Sequence, residues 1–88
     1  MNWGIELTPA AIKAFHKFPR DRQTQLKHAI DEMEINPLSG DVKSLKGLEW
    51  KGWYRKRVGR YRVIFNLKHN ERKIEILAIT IRSEKTYR

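Results

Sequence analysis

The apolar residues of this chain change their spacing between its two halves, and that change constrains the fold more than any other feature. From Ala11 to Met33 they recur at helical intervals: Leu26, Ile30 and Met33 stand at i, i+4 and i+7, with Ala29 between, as one stripe along a helix. Beyond Trp53 the period falls to two. Tyr61, Val63, Phe65 and Leu67 occupy alternate positions, as on one side of a strand. At 88 residues the chain is long enough for one core and too short for two, so helices and strands must share it. The expected class is α+β, a single domain over residues 1–88.

Local signals divide the pattern into elements. Trp3, Ile5 and Leu7 alternate with polar or small neighbours, which predicts a short strand over 2–7. Thr8-Pro9 supplies an N-cap and a first-turn proline, and Ala11, Ile12 and Phe15 follow at near-helical spacing, so a helix is expected over 9–17. Pro19 interrupts it. Asp21 is expected to cap a second helix over about 21–35, which Asn36-Pro37 stops. Residues 37–41 read as a turn-rich connection. Strands are expected over 53–58, 61–67 and 73–81, with links short enough for hairpins, so they should form an antiparallel meander. The resulting architecture is an N-terminal strand and two helices packed on a small curled antiparallel sheet. In the last strand Leu77, Ile79 and Ile81 should face one way, and Ile74, Ile76, Ala78 and Thr80 the other. Both sets are apolar, which suits an interior position.

Charge narrows the function. Lys and Arg number 19 against 10 Asp and Glu, a formal net charge of +9. Five bases and five acids lie at or before Gly40, so the whole excess belongs to the strand-forming half. One-sided positive charge suits a surface that tracks phosphates; the alternative is a solvated basic face with no specific ligand. The absence of cysteine excludes disulfides, a thiol nucleophile and thiolate zinc sites. No apolar run approaches the roughly 20 residues of a membrane span. The start Met1-Asn2-Trp3-Gly4 lacks the build of a secretory signal, so the expected location is cytoplasmic. His16, His28 and His69 match no metal spacing, no phosphate-binding glycine loop occurs, and neither metal nor small-molecule cofactor is expected.

Arg55, Arg57, Arg60 and Arg62 fall within eight residues, among Trp53, Tyr54 and Tyr61. Guanidinium groups offer planar forks for phosphate oxygens and stack on bases. Aromatic rings supply flat partners for unpaired bases. Trp53 and Tyr61 have a second reading as core residues, and Arg62 has one as an ion-pair partner of Glu75 or Glu84. If Arg55 and Arg57 turn to the side of the sheet that holds Arg62, a cationic cluster follows. Beyond the last strand the tail adds Arg82, Glu84, Tyr87 and Arg88, where a disordered basic tail is the alternative.

Taken in order, Leu45-Lys46-Gly47-Leu48, then Tyr54-Arg55-Lys56-Arg57-Val58-Gly59-Arg60-Tyr61-Arg62-Val63-Ile64-Phe65, then Ile79-Thr80-Ile81-Arg82-Ser83-Glu84-Lys85-Thr86-Tyr87-Arg88 resembles the RelE/ParE toxin superfamily. That resemblance implies two helices on a small antiparallel sheet. It also implies one of two activities. RelE-like members are ribosome-dependent endoribonucleases made with an antitoxin, and ParE-like members inhibit DNA gyrase without chemistry. In the RelE reaction a ribose 2′-OH attacks the adjacent phosphate. By resemblance Arg62 and Arg82 would hold that phosphate in the transition state, and Tyr87 would stack on or orient a nucleotide. Arg55 and Arg57 occupy positions where the family's ribonucleases often carry lysine. Arginine keeps its proton, so neither is a general base, and Glu84 becomes the candidate unless it is an ion-pair partner of Arg82 or Lys85. Arg55, Lys56, Arg57, Arg60 and Arg88 complete the expected RNA-binding set, although alternation puts Lys56 on the other side from its neighbours. The expected partners are an acidic antitoxin, mRNA and the ribosome, or gyrase. A weakened member that binds only RNA or antitoxin is a third reading.

Overall fold

The structure, a computed structural model, describes residues 2–47 and 51–81. Its elements run β1 (Gly4–Leu7), α1 (Pro9–Lys17), α2 (Arg20–Ile35), β2 (Val42–Ser44), β3 (Trp53–Val58), β4 (Tyr61–Lys68) and β5 (Lys73–Ile81). The strands form one sheet in the order β1-β5-β4-β3-β2. From β2 to β5 every neighbouring pair is antiparallel, so the expected meander is present. β1 lies parallel to β5, with Leu7 opposite Ile76, which makes the sheet mixed rather than wholly antiparallel. β5 is thus an interior strand. β2 was not foreseen: three residues with one apolar side chain carry no alternation, and only the pairing with β3 reveals them.

The start of α1 follows its sequence. The Thr8 hydroxyl accepts from the Ala11 amide at 3.2 Å and donates to the Leu77 carbonyl at 2.7 Å, while the Thr8 amide donates to the Ile76 carbonyl at 3.0 Å. One residue thereby caps the helix and ties it to β5. Thr8→Ala should cost about 1–2 kcal/mol in urea unfolding, with Thr8→Ser recovering most of it. The start of α2 corrects the reading of Asp21. Pro19 holds the N-cap position, its carbonyl accepting from the Arg22 and Gln23 amides, both at 2.9 Å. Asp21 lies two residues further on, within the first turn, where its charge meets the positive end of the helix. The Gln23 side chain, bonded to the Phe18 carbonyl at 2.8 Å, fastens the corner between the helices.

The core lies between the helices and one side of the sheet. Ala11, Leu26, Ile30 and Met33 pack on Val58, Tyr61, Val63, Phe65, Leu67, Ile74, Ile76 and Ile79. Tyr61 is a core residue, its ring centroid 4.4 Å from that of Phe18. The division of β5 into faces is corrected by a bulge. Phe65 pairs with Ile76 but Ile64 pairs with Ala78, so Leu77 is an extra residue. A single insertion exchanges the sides of everything beyond it, returning Ile79 to the core with Ile74 and Ile76, and sending Ala78 and Thr80 outward. The β3–β4 hairpin closes with only Gly59 and Arg60, and Gly59 has φ +57°, the value such a tight turn requires at its first position. Among the described residues no helix is long and apolar enough to cross a membrane.

Candidate nucleic-acid interface

The side of the sheet away from the core carries the arginines. On β4 the buried residues are Tyr61, Val63, Phe65 and Leu67, which leaves Arg62, Ile64 and Asn66 facing outward. Arg57 stands directly opposite Arg62, and Arg55 opposite Ile64, so the register brings all three guanidinium-bearing residues to this face. β2 adds Lys43 beside Arg55, and β5 adds Thr80 beside Arg62 and Ala78 beside Ile64. The result is a cationic row, Arg57-Arg62-Thr80, flanked by a second row, Lys43-Arg55-Ile64-Ala78. Arg60 is exposed in the turn that closes the same end of the hairpin. Trp53 is half-buried in the row of Asn66 and Glu75.

The opposite end of this face is charge-balanced. Glu75 pairs with Lys68 at 3.7 Å, and Glu6 with Lys73 at 3.1 Å. Glu75 is engaged by Lys68; Glu84, the other partner considered for Arg62, lies outside the described residues. Among the described residues positive charge concentrates where Arg57 and Arg62 meet.

Like charges placed directly across a sheet repel, and among the described residues one carboxylate moderates this group. Asp41, in the turn before β2, lies 3.6 Å from Arg55 Nη1 and 4.0 Å from Arg57 Nη1, and its own carbonyl accepts from the Arg57 amide at 3.0 Å. Sequence reading missed Asp41 and Lys43 together. Both depend on β2, whose only prior signal was the turn composition of 37–41.

Lys56 is the main correction to the site. It faces the core side, is 4% exposed, and donates to the Ser39 carbonyl at 2.6 Å. Its ammonium lies beneath Gly40, whose φ is +82° and where a Cβ would come within 2.7 Å of Nζ. Burial holds its pKa below the ordinary lysine value, with the charges of Glu32 and Asp41 acting the other way. Lys56 thus leaves the RNA-binding set: it is the strut under the turn that presents Asp41. Arg82, Glu84, Tyr87 and Arg88 lie outside the described residues. β5 ends at Ile81, opposite Tyr61 and one residue past the partner of Arg62. Among the described residues no group of His, Asp and Glu could hold a metal ion.

With this geometry in place, the family profile described as "ParE toxin of type II toxin-antitoxin system, parDE" matches residues 5–86. The chain belongs to the ParE toxin family. It is a toxin of a type II toxin–antitoxin system within the RelE/ParE superfamily. This ParE-family chain is also similar to solved toxins. Against RelE in the archaeal RelE–RelB complex of Pyrococcus horikoshii it has 27% identity and a TM-score of 0.82, covering 96% of this chain and 99% of that one. For the RelBE2 toxin–antitoxin complex of Mycobacterium tuberculosis the values are 22% and 0.80, with 93% and 100% coverage. For isolated Escherichia coli RelE they are 15% and 0.76, with 93% and 86%. The last two likenesses speak to the fold alone. No curated protein sequence matches the ParE-family chain significantly.

Proposed function

We propose that this toxin is a ribosome-dependent endoribonuclease that cuts mRNA in the cytoplasm by attack of a ribose 2′-OH on the adjacent phosphate. The observation that carries the reading is the Arg57–Arg62 pair, directly opposed across two strands and flanked by Arg55 on the open face. Three demands define the reaction: one proton leaves the 2′-OH, another reaches the departing 5′-oxygen, and the phosphorane gains negative charge. Fixed guanidiniums meet the third demand, because they are aimed at the developing charge before the reaction begins. Arg62, with Arg82 from the tail, holds the phosphate; Arg57 and Arg55 extend the cradle; Arg60 and Arg88 track the strand. Glu84 takes the 2′ proton, solvent water protonates the departing 5′-oxygen, and Tyr87 positions a nucleotide. Metal and small-molecule cofactors have no step to perform in this scheme.

An acidic antitoxin would neutralise the toxin by covering the same face, and could also fill the groove of about 280 Å³ that Ile5, Leu7, Phe15 and Ile30 line beside α2. Inhibition of DNA gyrase is the second reading, favoured by the name of the matching family profile. Primer extension after induction separates the two. New 5′ ends inside translated codons are expected; DNA-damage signalling with intact mRNA would establish the gyrase reading instead.

A further inference from the structure

Among the described residues, Asp41 is the acid within ion-pair reach of Arg55 and Arg57, and its geometry is unusual for a permanent ion pair. The distances of 3.6 and 4.0 Å exceed the ~2.7–2.9 Å of a charge-assisted hydrogen bond. Arg55 Nη1 is buried and has no hydrogen-bond acceptor among the described residues, although Asp41 lies beside it. A buried charged donor left in this way is costly, and a better-placed oxygen would relieve it.

We infer that Asp41 is an internal stand-in for phosphate: it occupies Arg55 and Arg57 in the resting protein, is displaced when an anion binds, and so sets the affinity of the face. This rests on the reading of the arginine face as a phosphate site. Three features fit a carboxylate that swings on a fixed backbone. Its side chain is 52% exposed, so leaving costs little. The main chain around it is held, by the Asp41 carbonyl on the Arg57 amide and by the Gly40 carbonyl on the Val42 amide, both 3.0 Å. Beneath the turn, Lys56 anchors Ser39. A phosphate can offer two oxygens in the plane of each guanidinium, an arrangement that the single carboxylate at these distances does not reach with either.

The test uses the full-length toxin and two probes. Pyrophosphate is titrated while the side-chain Nε–H resonances of Arg55 and Arg57 are followed, and a short single-stranded RNA is bound at several salt concentrations. Asp41→Asn keeps the shape and removes the charge. Two long ion pairs are released, one to the mostly buried Arg55 and one to the more exposed Arg57, so pyrophosphate should bind roughly 3- to 10-fold tighter. The logarithmic salt slope for RNA should steepen by about 0.7, the increment for one further effective charge on a single strand. Asp41→Glu, which reaches further, should bind no tighter than wild type. Unchanged or weaker pyrophosphate binding by Asp41→Asn, no saturable binding by either protein, or tighter binding by Asp41→Glu would each overturn the inference. The pyrophosphate arm involves no RNA. A wild-type toxin that ignores RNA while Asp41→Asn still gains pyrophosphate affinity counts against the ribonuclease reading alone. RNA binding with no Asp41 effect counts against the stand-in alone.

Discussion

Arg62→Ala is expected to lower mRNA cleavage by about 10²–10³-fold and to abolish growth arrest, with Arg57→Ala close behind, while both proteins remain folded. The rate factor is that of removing one preorganised donor from a developing oxyanion. The structural tolerance comes from position. Both side chains face away from the helices and core, opposite each other in register, so neither truncation removes a core side chain. What is lost in strand propensity, at most about 1 kcal/mol, is partly offset by relieving repulsion between two opposed cations. Arg62→Lys should recover only a small part of the activity, because an ammonium keeps the charge but not the fork. Cleavage in a translation extract, growth after induction and urea unfolding together decide the matter. Full toxicity in either alanine variant would remove the phosphate role. Toxicity that persists without cleavage would favour the non-enzymatic reading.

Where a property follows from period or from a local cap, the sequence displayed it: the apolar stripe of α2, the Thr8 cap, the tight Gly59-Arg60 turn and the three-strand meander are all visible as residue patterns. What depends on pairing between distant segments was hidden. Alternation alone could not say which side of β3 matched which side of β4, so the convergence of Arg55, Arg57 and Arg62 stood as a condition until the register met it. The Leu77 bulge was invisible for a related reason. Residues 74–81 are apolar on both sides, so an inserted residue leaves no break in the pattern, and the side-chain sets were divided wrongly after Ile76. Lys56 followed the alternation rule faithfully, yet its chemistry was misjudged. A lysine between two arginines reads as part of a cationic surface, whereas its role comes from a carbonyl 17 residues away in a turn whose glycine makes room for the ammonium. Asp41 is the matching omission, an acid whose importance arises only once β2 carries it to the arginines.

Phe65→Ala should produce the largest loss of stability, about 3–5 kcal/mol, and should remove activity by a route opposite to that of Arg62→Ala. Phe65 is fully buried, stacks on Tyr54 with ring centroids 5.6 Å apart and planes 22° off parallel, and pairs with Ile76 where the bulge begins. Its neighbours are fixed by the sheet on two sides and by the helices above, so the vacated space can close only in part. In a domain of this length total stability is of order 4–13 kcal/mol, and the variant would be left near its unfolding threshold at 37 °C. Phe65→Leu, which keeps most of the volume, should cost much less. A loss below about 1.5 kcal/mol in urea would mean that the core can close around the missing ring and is not organised there. Because Arg62 lies three residues along the same strand on the other face, loosening this core also loosens the register that opposes Arg57 to Arg62. Activity should therefore track the folded fraction in Phe65→Ala and recover on cooling. In Arg62→Ala, activity should stay absent at every temperature at which the protein is fully folded.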